Sequence, residues 1–392
     1  MLDPSLRVLV TPPSGHSEIS KQAATELGFD IKLSVLPTEA LLRKAVSEPD
    51  SFDLIQAEYW MINELTNSGV IQPVKASEID RFHEISPLFI NGMIDGEQVS
   101  CGGVPPHSVQ FADHDRTWLN VIPTICNSDT LGWRQDRLSR EVISWGDILA
   151  PDLSGRVALA DLPAVSYLEV SLACQARRLV DYHNIGQQSR EEIDATFEII
   201  NKLARKGHFD SLWATYETSI DRMTNGPVAL QSLWPPAVTD FKKRKIPVRY
   251  SLLKEGARGW AGGFCLSAHL KQEMKARALA YANWYLEGWA GAFLMRQGYY
   301  CSTPNAARRF LSENEWNYWQ LGLPAVEPIV APDGSIIGSI GDRREGGSFE
   351  TRMSRIACWN TSMDEDHHLK SCWIKFRNIV QNNAENKNSS TN

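Results

Sequence analysis

Thirteen tryptophans stand out among the groups with which this 392-residue chain could do chemistry, as many as its phenylalanines and more than its tyrosines. The other reactive residues fall into no catalytic pattern. There is no GxxxxGK[ST] or GxGxxG to cradle phosphates, no HExxH to hold a catalytic zinc, and no GxSxG to present a serine. The seven cysteines (101, 126, 174, 265, 301, 358, 372) are scattered, with neither a CxxC pair nor paired histidines. They read as buried thiols, with Cys358 and Cys372 the nearest candidates for one disulfide in an oxidising compartment. His367-His368 follows Asp364-Glu365-Asp366, but a solvated acidic turn before a last helix accounts for it better than a metal site. Tyr299-Tyr300 lacks the matched His and carboxylate of an iron site, and Asp113-His114-Asp115 reads as a loop. No metal and no cofactor are expected. A long chain with no nucleophile and no cofactor cradle points to binding rather than catalysis.

The elements that must position these residues begin with a regular alternation. Residues 6–10 read as a strand, 17–27 as a helix stopped by Gly28, and Ile31, Leu33 and Val35 as a second strand. Thr38 is placed to cap a helix carrying Leu41, Leu42, Ala45 and Val46; residues 52–56 read as a third strand and 59–67 as a third helix, closed by Gly69. Such alternation implies βαβ units and a parallel sheet, with ligands beyond the carboxyl ends of its strands. Residues 11–17, 36–38 and 57–60 are therefore the candidate positions. Residues 92–126 show no sustained period and read as long connections. Further on, strands are expected near 157–159, 228–230 and 248–253. Helices are expected at 191–206, 210–224, 271–286 and 290–297, with 374–380 in the last one. The polar tail 381–392 has no apolar anchor and is expected to be disordered.

Length and charge bound the partners. The chain exceeds one typical domain, so two cores are expected. A net charge of −7, with no basic cluster larger than Lys242-Lys243-Arg244-Lys245, disfavours nucleic acid. The most apolar stretch, 278–295, is broken by Asn283, Glu287 and Gly288, so membrane insertion is not expected. The first residues carry no basic segment or apolar core of a signal peptide, which fits a cytoplasmic protein or one whose leader has been replaced by a start Met.

Several segments together resemble the bacterial periplasmic solute-binding proteins of ABC importers, in the spermidine/putrescine-binding branch. Ser144-Trp-Gly-Asp-Ile-Leu-Ala-Pro-Asp-Leu-Ser-Gly-Arg156, followed by Val157-Ala-Leu-Ala-Asp161, is similar to the family's "W-x-D-L…P…G-x-V…D". Leu253-Lys-Glu-Gly-Ala-Arg-Gly-Trp260 is similar to its "P-K-E-G-x-x-x-W". Residues 278–286 resemble the "A-x-x-F-I-N-F" helix, and Gly298-Tyr-Tyr-Cys-Ser-Thr-Pro-Asn305 the "G-Y-x-T-P-N" segment. Trp359-Asn-Thr-Ser-Met363 resembles a closing segment of some relatives. Each motif is weak alone; five in the family's order are more specific.

The resemblance implies an α/β, two-lobed periplasmic-binding-protein fold, each lobe a mixed, mostly parallel sheet flanked by helices and joined by hinge strands. Lobe 1 is expected at 1–125 and 264–312, and lobe 2 at 126–263 and 313–380, with crossings near 123–127 and 260–265. A ligand would be trapped in an aromatic-walled cleft by hinge closure. The implied function is the substrate-binding component of an importer, monomeric and periplasmic, with a permease of the inner membrane as its partner.

In that family aromatic rings sandwich an alkyl-amine and acids hold its ammonium ends. A Trp face attracts a cation by roughly 0.5–2 kcal/mol and covers methylenes, and a carboxylate adds a directional charged bond. By the resemblance, Trp234 and Trp260 match two pocket tryptophans, Trp60 an aromatic after the third strand, and Glu58 a small polar contact. Tyr299 or Tyr300 matches the pocket tyrosine, and Asp161 the strand-end acid. The departures are equally informative. Gly262 replaces an amine-gripping Asp, Leu162-Pro-Ala-Val165 lacks a further acid, and Thr11-Pro-Pro-Ser-Gly15 replaces an aromatic. This last loop, with Thr11 and Ser14, opens a helix whose N–H groups could receive an anion. A long polyamine would leave charges unpaired, so a small amine or zwitterion is expected. The competing readings are a thiaminase-like transferase using Cys101 or Cys126, for which no base is visible, and a ligand-sensing receptor domain.

Overall fold

Short apolar runs set the sheet in each half of the chain. The computed structural model describes residues 5–99 and 102–389. The chain divides into two compact units, each built from discontinuous segments. Unit 1 takes the chain up to Val99, then Val104–Asn127 and Trp260–Gln320; unit 2 takes Ser128–Gly259, the chain from Leu321, and the short passage at Gly102 and Gly103.

In unit 1 the strand Leu6–Val10 lies between two parallel partners, Ile31–Val35 and Leu54–Glu58, with Val8 opposite both Leu33 and Leu54. The helices Ser17–Leu27 and Thr38–Ser47 connect them, the first ended by Gly28 in the left-handed region at φ 73°. Leu54–Glu58 pairs on its other side with the antiparallel strand Ala257–Ser267. Tyr300–Cys301 adds to the long strand Ile122–Arg134. The core gathers Leu6, Val8, Leu54, Ile125, Trp260 and Phe264 against the helix Gln272–Leu286.

In unit 2 Val157–Ala160 lies between two parallel partners, Phe209–Trp213 and Leu230–Leu233, and Leu230–Leu233 runs antiparallel to the far end of Ile122–Arg134. Val248–Tyr250 joins that end too, and Ile356–Trp359 runs parallel to the start of Ala257–Ser267. The helices Pro163–Ala176, Arg190–Arg205 and Asp366–Ser389 close over a core holding Trp145, Tyr167, Phe197, Phe209 and Trp373. The fold is thus mixed α/β with mostly parallel central strands, as expected. The two long strands, Ile122–Arg134 and Ala257–Ser267, each supply residues to both units.

Several expectations need correction. Residues 210–224 are not one helix but the strand Phe209–Trp213 followed by Tyr216–Thr224, with Thr215 Oγ1 accepting from the Thr218 amide as the cap. The buried Phe209, Ser211 and Trp213 alternate along a strand, and the helical period appears only after it. The third strand is Leu54–Glu58, two residues later than expected, preceded by a 3₁₀ turn at Pro49–Ser51. Thr38 does not cap its helix; its hydroxyl goes to Glu58. Of the tail 381–392, expected to be disordered, the part up to Ser389 continues the last helix, with Asn383 Nδ2 donating to the Ala204 carbonyl at 2.6 Å and no glycine or proline between Gln381 and Ser389 to stop it, while 390–392 lie outside the described residues. Cys358 and Cys372 are both buried, and the Cys372 thiol is not joined to Cys358, so the suggested disulfide is absent.

Candidate functional site

Glu58 ends the third strand of unit 1, so its side chain leaves the sheet at the carboxyl edge, where strand peptides give way to helices. Thr38 Oγ1 donates to its Oε1 at 3.0 Å and Trp60 Nε1 to its Oε2 at 2.7 Å. Thr38 opens the helix after one parallel strand and Trp60 lies in the turn after another, so the βαβ alternation itself brings the three side chains together. Glu58 and Trp60 are buried, only 6% and 7% exposed. Trp60 lies in the 3₁₀ turn Tyr59–Met61, which Tyr59 fixes by donating to Gln110 Oε1 at 2.6 Å.

Across the antiparallel ladder Gly262 is the register partner of Glu58. A Cβ at 262 would meet Ile125 Cγ2 at 3.3 Å and the Ala57 carbonyl at 3.4 Å, a tight fit that asks the neighbours to give by a few tenths of an ångström. Below it a buried polar relay runs from Gln56 Nε2 to Thr124 Oγ1 at 3.0 Å and from Thr124 Oγ1 to the Gly262 carbonyl at 3.1 Å. Two residues before Gly262, Trp260 stands 6.0 Å from Tyr299, ring centroid to centroid, tilted by 42°. Tyr300 is buried opposite Cys126 in the sheet. The Thr-Pro-Asn segment is fastened by Ser302 Oγ donating to the Pro123 carbonyl at 2.6 Å and Thr303 Oγ1 to the Leu286 carbonyl at 3.0 Å.

Thr11 and Ser14 follow the first strand and so share the same edge of the sheet as Glu58. Their loop departs from expectation. Pro12–Ser14 is a separate 3₁₀ turn whose Ser14 and Gly15 amides are spent on the Thr11 and Pro12 carbonyls, and the helix starts only at Ser17, behind His16. The N–H groups of the loop are thus partly consumed before any anion arrives.

In unit 2 Trp234 follows the strand Leu230–Leu233 and precedes the helix Pro235–Lys243, half-buried, with its ring edge-on to Trp213 at 5.1 Å. Asp161 follows Val157–Ala160, and its Oδ1 accepts from Trp373 Nε1 and Arg377 Nε, both at 2.9 Å. Those bonds tie the strand end to the last helix.

A cluster that sequence reasoning missed lies deeper in unit 2. Arg258 Nε donates to Glu169 Oε1 at 3.0 Å, its Nη2 to Asp129 Oδ2 at 3.1 Å, and its Nη1 to Asn360 Oδ1 at 2.6 Å. Ser232 Oγ donates to the same Glu169 oxygen at 2.6 Å. All five residues are buried. Burial pushes the Glu169 carboxyl up, against the pull of Arg258, while the two carboxylates hold the Arg258 guanidinium charged despite its burial. A signal was present in the sequence. Glu169 is the only charged residue in Pro163–Ala176 and Arg258 the only one in Ala257–Ser267. A lone charge in an apolar element requires a partner of opposite sign.

The quoted motifs also have a structural role. Glu255 accepts from Ser144 Oγ at 2.6 Å and from the Trp145 amide at 3.1 Å, and Trp145 Nε1 returns a bond to the Gly256 carbonyl at 2.9 Å. Gly256 sits at φ 96°, where a Cβ would meet the Arg355 carbonyl at 2.4 Å.

The family model for bacterial extracellular solute-binding proteins matches residues 19–321, and the chain belongs to that family. A spermidine/putrescine-binding periplasmic protein of Salmonella typhimurium is 23% identical over 298 residues, covering 74% of this chain and 75% of the relative. Among solved structures, the spermidine/putrescine ABC transporter substrate-binding protein PotD of Streptococcus pneumoniae superposes with a TM-score of 0.64 at 13% identity, covering 96% of this chain and 100% of that one. A GABA receptor superposes with a TM-score of 0.61 at 12% identity, covering 95% and 98%. The protein is therefore the substrate-binding component of an ABC transporter, which binds a small molecule, works with a permease, and is not an enzyme. The transferase alternative falls with that assignment; Cys126 is buried in its strand, and Cys101 lies outside the described residues. Among the described residues no helix is long and apolar enough to cross a membrane.

Proposed function

We propose that the protein captures a small amine or zwitterion, or a short polyamine-like solute, at the carboxyl edge of the unit 1 sheet. Glu58 receives the ammonium, and Trp60, Trp260, Tyr299 and Tyr300 supply the aromatic surfaces. Thr11 and Ser14 flank the same edge as polar contacts. Trp234 and Asp161 of unit 2 complete the proposed contact set.

The observation that carries this reading is the Glu58 carboxylate, oriented by Thr38 and Trp60 and facing a glycine across the ladder. In the spermidine/putrescine-binding family an amine-gripping acid stands at the Gly262 position. Polyamine and GABA, named for the relatives, bracket the ligand class: several ammonium groups at one end, one ammonium and one carboxylate at the other. With one acid fewer at this edge, a single ammonium is matched better than several.

Titration calorimetry with putrescine, spermidine, γ-aminobutyrate and choline tests this. A small monocation or zwitterion is expected to bind best, and tight spermidine binding with no response to the others would sink the reading. Gly262→Asp is expected to shift preference toward putrescine and spermidine. The proposal includes the hinge closure and monomeric state expected from the resemblance. Small-angle scattering with and without ligand should show a smaller radius of gyration on binding and a monomer's mass throughout.

A further inference from the structure

The last helix and the helix Arg190–Arg205 of unit 2 run side by side in the same direction. Arg190 pairs with Glu365 at 2.9 Å near their starts, and Asn383 reaches Ala204 near their ends. One turn in from the first pair, three different metal-binding side chains converge. His368 Nε2 lies 2.7 Å from Asp194 Oδ1, Cys372 Sγ lies 3.7 Å from His368 Nε2, and Cys372 Sγ lies 3.9 Å from Asp194 Oδ1. All three ligand atoms fall within 4.8 Å of one another. We propose that Asp194, His368 and Cys372 form a binding site for a zinc-like transition-metal dication, a site separate from the solute-binding edge of unit 1.

The geometry supports this in three ways. His368 and Cys372 are four residues apart on one helix, so they stand on the same face one turn apart. Asp194 completes the set from the facing helix, and its exposure leaves room for water as a fourth ligand. Zn–N, Zn–S and Zn–O bonds of about 2.0–2.3 Å in a tetrahedron place ligand atoms roughly 3.4–3.6 Å apart. The two sulfur distances are already close to that. Only the His–Asp hydrogen bond must lengthen, by about 0.7 Å, as the ion takes the place of the proton between them.

Ligand chemistry selects the metal class. Calcium and magnesium require oxygen sets, whereas imidazole with thiolate favours zinc and its softer neighbours. A dication with one thiolate, one carboxylate and one neutral imidazole sums to zero charge, which suits a position bordering the apolar core formed by Ile193, Phe197, Leu369 and Trp373. On binding, the thiol releases its proton to solvent and the imidazole offers its Nε2 lone pair with the proton on Nδ1. The structural consequence is a clamp between the two helices.

The experiment titrates the full-length protein, stripped with chelator, with Co²⁺ and then Zn²⁺. Expected are one equivalent of Co²⁺, a thiolate-to-cobalt charge-transfer band, tetrahedral ligand-field absorption, and their loss when Zn²⁺ displaces cobalt. Cys372→Ser should abolish the charge-transfer band. Asp194→Asn, at an exposed position that leaves the fold intact, should weaken Zn²⁺ affinity at least ~10-fold, since even outer-shell losses cost about 10–100-fold. No saturable uptake by the wild-type protein overturns the proposal. So does a charge-transfer band that persists in Cys372→Ser, which would assign the metal to another cysteine, or an affinity indifferent to Asp194→Asn and His368→Gln.

Discussion

Arg258 holds two buried carboxylates at once, Asp129 and Glu169, so its loss would leave both without a cation. Arg258→Met would leave Glu169 and Asp129 buried with no cation, a change that costs about 3–5 kcal/mol. Glu169→Gln should cost clearly less, because burial already works against that charge. Denaturant unfolding of both variants checks the order, and an Arg258→Met protein as stable as wild type would refute the network. If the proposed site is right, Trp260→Ala is expected to weaken the best ligand by roughly 2- to 30-fold, the range of one cation–π contact. Calorimetry reads it directly, with circular dichroism to confirm folding, since Trp260 also packs in the core.

The Ser144 and Lys254 segments, although they match solute-binding relatives, act on each other. Glu255→Ala removes two bonds that hold the start of the 3₁₀ turn Trp145–Leu149 and is expected to cost about 1–3 kcal/mol. Ligand affinity should stay unchanged, and a drop in affinity at undiminished stability would move Glu255 into the binding machinery. The legibility of elements follows the contrast between their faces. Arg190–Arg205 has a polar and an apolar face and a complete Ser189–Glu192 capping box, so its period was visible to within a residue. Pro163–Ala176 is buried from Val165 to Cys174 without interruption and shows no such contrast. Ile122–Arg134 is buried along its whole length, and its first residues read as a connection for the same reason. At the candidate site, Glu58 and Trp60 could be found because a strand end is a position in sequence. That Thr38 would hold Glu58 could not, since twenty residues and a helix separate them.

For the molecule as a whole, acid sensitivity follows from its histidines. Burial lowers the pKa of His16, His107 and His208 below the ordinary 6.5. The unfolded chain then binds more protons than the folded one just below that value, so stability falls as pH drops through it and is fully regained above it. Unfolding midpoints at about pH 7.5 and pH 5.5 should differ in that direction. His208→Gln should reduce the difference, because burial disfavours charging that ring by more than its bond to the Ile148 carbonyl favours it. An unchanged slope would assign the effect to other groups.

The discontinuous make-up of the two units has a consequence in time. Unit 1 needs Trp260–Gln320 to finish its sheet, yet the whole of Ser128–Gly259 must be translated first. At about 5–20 residues per second, the first three strands are made and then wait roughly 10–42 s for the antiparallel strand that borders Glu58 to be completed. Unit 2 waits longer still, for a helix that begins at Asp366. A nascent chain halted at Gln320 would carry every residue of one unit and lack the last helix of the other. Pulse proteolysis of such stalled chains should find the first unit protected and the second still open to cleavage.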